Sequence, residues 1–140
     1  MNLRLTRQAE YAMRALLELA RVPAGEVMET AVIARRQDIP KVFLKKTIQA
    51  LARAGLVETK RGAGGGIRLL KPAGQITLAD AITATEGNIA FNPCLGGGEN
   101  CPNAPSCRIR SAIRRGQQAF MEEMRRESLA AIVSREKDEN

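Results

Sequence analysis

Histidine and tryptophan are absent from these 140 residues, tyrosine occurs once and phenylalanine three times. The missing histidine removes the usual proton shuttle at neutral pH and the commonest nitrogen ligand for a metal. No nucleophile elbow, nucleotide fingerprint or paired acid motif is present either, so the sequence gives no sign of an enzyme. Aromatics make up 3% of the chain, while Ala, Leu, Ile and Arg dominate, which favours helix over sheet. No stretch approaches about 18 uncharged apolar residues, the length a membrane helix needs. The opening MNLRLTRQAEYAMRALLELAR is broken by charge every few positions, so no secretory signal is expected and the protein should be cytoplasmic. A hydrophobic fraction of 44% is enough for one core.

Cysteine is also scarce, yet all three copies, Cys94, Cys101 and Cys107, fall in one Gly/Pro/Asn-rich segment, FNPCLGGGENCPNAPSC. An odd count in a reducing compartment argues against a disulfide framework and for metal or thiol redox chemistry. The spacing C-x6-C-x5-C is wider than the C-x2-C pairs typical of structural zinc, and a fourth ligand must come from elsewhere. Iron-sulfur clusters accept thiolates from long irregular loops, and Gly96, Gly97 and Gly98 would let backbone amides approach the cluster sulfurs. Cys107 stands before a long helical pattern, beside Arg108 and Arg110, where a helix N-terminus and guanidinium charge favour an anionic cluster. Zinc binding by the same cysteines stays open. Three thiolates leave one iron position to an oxygen donor, a labile arrangement that suits a sensor better than an electron carrier.

The net charge of +7 is concentrated at the front. Residues 1–72 hold 14 Lys/Arg against 6 Asp/Glu, whereas residues 73–140 hold 8 against 9. A positive surface confined to one folded region is the footprint of phosphate-backbone binding. Thr6 can cap a helix from Arg7 to Arg21 whose apolar stripe is Ala9, Met13, Leu16, Leu17 and Ala20. Thr30 to Gln37 reads as a short second helix. Asp38 then occupies a tight turn, and Ile39-Pro40 starts a third helix.

On that third helix Leu44, Thr47, Ile48 and Leu51 share one face, and Lys45, Lys46, Gln49 and Arg53 the other. Gly55 stops it, and LVETK and IRLL read as strands joined by the glycine-rich RGAGGG, with Lys60 and Arg61 at its base. A phosphate-binding loop is excluded because a strand follows the glycines and no GK[ST] ending appears. This order is that of a winged helix-turn-helix, whose second turn-motif helix enters the major groove. The expected DNA-binding residues are Lys41, Lys45, Lys46, Gln49, Lys60 and Arg61. The plainer alternative is that these cations only keep a helix face soluble.

After Pro72 a brief helix spans about Leu78 to Thr85, and Ala90 to Ser106 should lack regular structure. From Cys107 to about Arg135 the residues Ile109, Ala112, Ile113, Gly116, Phe120, Met124 and Ala131 line one side of a single long helix, close to 40 Å at about 1.5 Å per residue. Its stripe outreaches the small domain before it, so a second copy of the chain is the expected partner and a tail folded back on its own domain the alternative. Glu136 to Asn140 should fray. The expected architecture is mainly α with a small β-hairpin wing. It comprises a DNA-binding domain (1–72), a short helix and cysteine-rich cluster-binding loop (73–106), and a long dimerisation helix with its tail (107–140).

LTRQAEYAMRALLELA, IPKVFLKKTIQALARAGLVETKRGAGGGIRLL and C-x6-CPNAPSCRIRSAIRRGQQAF, in this order over nearly the whole chain, resemble the IscR/NsrR-type family of bacterial iron-sulfur transcriptional regulators. The resemblance implies a homodimer that binds palindromic promoter DNA with an affinity set by an iron-sulfur cluster, 2Fe-2S or 4Fe-4S, on the three loop cysteines. IscR-like proteins use a histidine after the third cysteine as fourth ligand, which this chain lacks. Some NsrR-like relatives use an acidic residue of the partner subunit's first helix, here matched by Glu10 before Tyr11, and the CP-x-A-x-x-CR ending is also closer to NsrR. The resemblance therefore implies a repressor sensing nitric oxide, redox state or cluster supply. Two other readings stay open: a cluster-independent winged-helix regulator with zinc-binding or redox-active thiols, and a cluster carrier without a DNA role.

Overall fold

In the computed structural model, which describes residues 3–95 and 106–139, the first helix, α1 (Arg7–Ala20), begins where expected. Thr6 caps it, its side chain accepting from Ala9 N at 3.1 Å, a contact that stabilises a helix start by about 1 kcal/mol. The Thr6 hydroxyl also donates to the Glu86 carboxylate. The core stripe of α1 is Ala9, Ala12, Ala15, Leu16 and Leu19, with Met13, Leu17 and Ala20 only partly buried. The rotation from the expected stripe follows from packing: small alanines let α1 approach its neighbours closely, and helical spacing alone does not choose between adjacent stripes.

Helices α2 (Thr30–Gln37) and α3 (Lys41–Arg53) follow, and between them Asp38 takes the left-handed conformation (φ 52°, ψ 50°). Pro40 sits one position before α3, as its cap. Strands β1 (Val57–Lys60) and β2 (Gly66–Leu69) pair antiparallel, Val57 opposite Leu69 and Lys60 opposite Gly66. The hairpin is held to the domain by Met28 and Ile67, whose N–H groups each donate to the other's carbonyl at 2.9 Å. A single turn (Ala73–Gln75) leads to α4 (Leu78–Glu86), started by a reciprocal cap between Thr77 and Asp80 at 2.9 and 3.3 Å. Leu16, Ile33, Leu44, Leu51, Ile67, Ile76 and Leu129 form the fully buried centre of the core.

The C-terminal region departs from the single long helix expected from the sequence. Helix α5 (Arg108–Arg125) ends after 18 residues, about 27 Å at about 1.5 Å per residue, and a separate helix α6 (Leu129–Asp138) turns back onto α1 and the Ala73–Gln75 turn. Ser128 makes the break. Its backbone is extended (ψ 163°), its hydroxyl accepts from Ala131 N at 3.1 Å, and Leu129 N donates to Ile76 O at 2.8 Å. Leu129 and Val133 are buried, so this part of the stripe belongs to the chain's own core. Nor does Glu136 fray: Arg21 donates two hydrogen bonds to its carboxylate, at 3.0 and 2.8 Å. That contact, against the opposing effect of burial, holds the Glu136 carboxyl below its ordinary pKa and, with help from Glu18, the Arg21 guanidinium above its own.

Candidate nucleic-acid interface and cysteine site

The backbone of the turn fixes how α3 is presented. Ile39 N donates to Ala34 O at 2.9 Å, and the Ile39 side chain is buried, so the chain reverses sharply between α2 and α3. Burial of Leu44, Thr47, Ile48 and Leu51 turns Lys41, Val42, Lys45, Lys46, Gln49 and Arg53 outward, which matches the face division read from the sequence. The position of α2 depends on a residue that sequence reasoning missed. Glu18 is 4% exposed and accepts from Gln37 Nε2 at 2.6 Å, Arg21 at 3.0 Å and Arg36 at 3.5 Å. A buried carboxylate needs such partners, and together they fasten the end of α2 to α1. Within LLELA it carries no signal separating it from a solvated glutamate.

Between α3 and the wing lies a groove of about 1220 Å³. Lys41, Lys45, Gln49, Lys60 and Arg61 all line it, and Glu29 is its acidic lining residue. Five of the six expected DNA contacts thus converge on one groove. Lys46 does not: it faces the other flank of α3, in a 340 Å³ hollow with Arg7, Gln8, Tyr11, Phe43 and Thr47. Arg7, next to the capping Thr6, is a further cation on that flank, outside the set expected from the sequence. None of Arg7, Lys41, Lys45, Lys46, Lys60 or Arg61 is ion-paired among the described residues. Unneutralised cations on both flanks of an exposed helix form the arrangement that embraces a polyanion.

At the other end of the chain, Cys107 is the cap of α5, and its sulfur accepts from Arg110 N at 3.4 Å. The same Arg110 donates through Nε to the Cys94 carbonyl at 3.3 Å, and Asn92 Nδ2 donates to the Cys94 sulfur at 3.2 Å. Both cysteines are half-buried. Arg110 thereby ties the first turn of α5 to the segment carrying Cys94. Cys101 and Gly96 to Gly98 lie outside the described residues. Glu10 is on α1, ion-paired with Arg14 one turn on. Among the described residues no three Cys, Asp or Glu side chains gather as a metal-holding group, so within one chain the structure brings together Cys94 and Cys107 but not Glu10.

Helix α5 buries none of its residues within the chain. Ile109 is 72% exposed, Ile113, Phe120 and Met124 are half-buried, and Phe120 meets Phe91 with ring centres 5.5 Å apart. No helix among the described residues is long and apolar enough to cross a membrane.

A family model described as Rrf2, iron-dependent transcriptional regulator, matches residues 5–135. Protein aau3 of Rhizobium meliloti (strain 1021) is 42% identical over 121 residues, covering 86% of this chain and 78% of that protein. Among solved structures, CymR (YrzC), the global cysteine regulator of B. subtilis, is similar with 28% identity and a TM-score of 0.68, over 95% of this chain and 98% of that one. IscR of T. potens is similar with 25% identity and a TM-score of 0.74, over 100% of this chain and 90% of that one.

Proposed function

Because the chain belongs to the Rrf2 family, and is therefore a transcriptional regulator that binds promoter DNA as a homodimer and not an enzyme, we propose that it is a cytoplasmic repressor whose promoter affinity follows an iron-sulfur cluster. Cys94, Cys101 and Cys107 would hold the cluster, 2Fe-2S or 4Fe-4S, with the partner subunit's Glu10 as fourth ligand. The observation that carries this reading is the linkage of Cys94 and Cys107 through Arg110 at the start of α5. The donor set fits such a group: two half-buried sulfurs each receive an N–H hydrogen bond, the kind of contact that stabilises anionic sulfur at a cluster. When bound, the cluster supplies reactivity toward nitric oxide and oxidants.

The chain's own residues supply the rest. Lys41, Lys45, Lys60 and Arg61 grip phosphates from the wing side of α3, and Lys46 and Arg7 from the other. Gln49 faces the groove at a position suited to a base edge. Cys107 and Arg110 fix the first turn of α5, and α5 offers the apolar face that a second copy covers. The separation of the two α3 helices, which must match half-sites about one helical turn apart in a palindrome, is therefore set by an element anchored at the cysteines. A change at the sulfurs alters that separation and with it operator affinity.

The test is to purify the protein without oxygen, record its visible absorbance and iron-to-sulfide ratio, and measure binding to its own upstream DNA before and after nitric oxide. Coloured protein with matched iron and sulfide, and weaker binding after nitric oxide, is the expected result. Glu10→Ala should keep the far-ultraviolet circular dichroism and change the visible spectrum; an unaltered spectrum and iron content would remove Glu10 from the ligand set. Colourless, iron-free protein that still binds the same DNA overturns the cluster. The second reading is a regulator whose cysteines bind zinc or undergo thiol oxidation directly, which two half-buried free thiols also allow, and metal analysis separates it from the first.

The phosphate assignment has its own test. Arg61→Ala and Lys46→Ala should each flatten the dependence of log affinity on log salt by about one unit, since each removes one phosphate contact. Slopes identical to that of the unaltered protein would refute the two-flank grip.

A further inference from the structure

Val42 is 68% exposed on the first turn of α3. At about 100° per residue it stands half a turn from the buried Leu51, on the outward line of the helix that continues through Lys46, Gln49 and Arg53. Its neighbour Phe43, 53% exposed, leans toward α1 and lines the hollow with Arg7 and Tyr11, so its exposure has a packing explanation. Val42 has none. A β-branched apolar side chain at the centre of a face otherwise made of Lys, Gln and Arg neither stabilises the domain nor adds to its solubility.

The surroundings identify what covers it. Unpaired lysines at 41, 45 and 46 exclude a membrane interior or an apolar protein groove and complement a polyanion. On the outward line at the start of a recognition helix, between flanks that hold phosphates, side chains reach base edges. Valine offers no hydrogen bond, and the apolar group on the floor of the major groove is the C5 methyl of thymine. We propose that Val42 is a specificity-determining residue that selects one thymine per half-site through contact with this methyl. The proposal rests on the reading of α3 as the groove-entering helix. It adds a preference that the cations, which track phosphates, cannot supply.

The experiment selects a randomised DNA duplex library with the full-length protein and with Val42→Ala. The strongest duplex is then resynthesised with uracil, which lacks only the methyl, at each thymine in turn. The unaltered protein is expected to enrich a half-site with one fixed thymine and to bind the uracil duplex at that position about fourfold more weakly, the effect of losing one buried methyl. Val42→Ala should weaken the preference at that position alone and distinguish uracil from thymine there less than the unaltered protein does, with little change in thermal midpoint because the side chain is exposed. Enrichment of a half-site in which no thymine-to-uracil change matters, or in which Val42→Ala retains every preference undiminished, overturns the proposal while leaving DNA reading intact. A library that yields no enriched sequence overturns both.

Discussion

Gly66→Ala is expected to destabilise the protein by about 2–4 kcal/mol and to weaken DNA binding at least about tenfold, because a clash with backbone has no flexible side chain to relieve it. A Cβ at this position would lie 2.0 Å from the Met28 carbonyl oxygen and 2.6 Å from its carbon, and φ is +156°. The glycine is thus required by the approach of β2 to Met28, the pairing that fastens the wing to the domain. With that pairing broken, Lys60 and Arg61 would lose their fixed position across the groove from α3, so affinity should fall with stability. Gly64→Ala is the control. It also has positive φ, at +74°, but an added Cβ there meets nothing within 4 Å, and its cost should be only about 1 kcal/mol, that of the left-handed backbone. Urea unfolding of the two variants measures the difference; equal midpoints would show that Met28 does not restrict the wing.

Truncation of Leu129 to alanine should cost about 3 kcal/mol, within the range for a fully buried leucine whose surroundings collapse only in part. Leu129 has 0% of its surface exposed, and its amide is the donor to Ile76 O, so the side chain and the backbone dock α6 together. A domain of this size has a total stability of roughly 5–15 kcal/mol, and the loss is a large share of it. Glu136→Gln, which removes the exposed ion pair with Arg21, should change the same unfolding curve little, because exposed pairs are solvated in either state. If Leu129→Ala unfolded at the same urea concentration as the unaltered chain, α6 would not be part of the core, and the single long helix expected from the sequence would regain its standing.

Much of the DNA-binding half was legible because its cues are local. Thr6 caps the first helix through its own amides, Asp38 turns because a short polar side chain tolerates the left-handed region, and glycine-rich residues between two short apolar runs form a hairpin. The division of α3 into a core face and a charged face followed from period alone. The cysteines could be read as a candidate ligand set from residue type and spacing, and Arg110 hydrogen-bonds both the Cys107 sulfur and the Cys94 carbonyl.

Other features depended on residues distant in sequence. The expected stripe from Cys107 to Arg135 treated apolar spacing as one rod, although Ser128 before Leu129 is itself a cap signal. Whether such a cap is used depends on a vacancy in the core beside Ile76, and periodicity carries no record of it. Glu18 has the same origin: only folding brings Arg36 and Gln37 to it and makes burial of a carboxylate tolerable. Lys46 went to the opposite flank from the other cations, a matter of how α3 rolls against α1.

Sequence by itself determined the helix and hairpin order of the DNA-binding half, the positive front half and the crowding of all three cysteines into one segment, since these rest on chain chemistry over a few residues. Tertiary structure decided where the C-terminal stripe divides, which cations share the groove and why Gly66 must lack a side chain. Each of those is settled by the close approach of backbones far apart along the chain, where a few tenths of an ångström separate contact from clash.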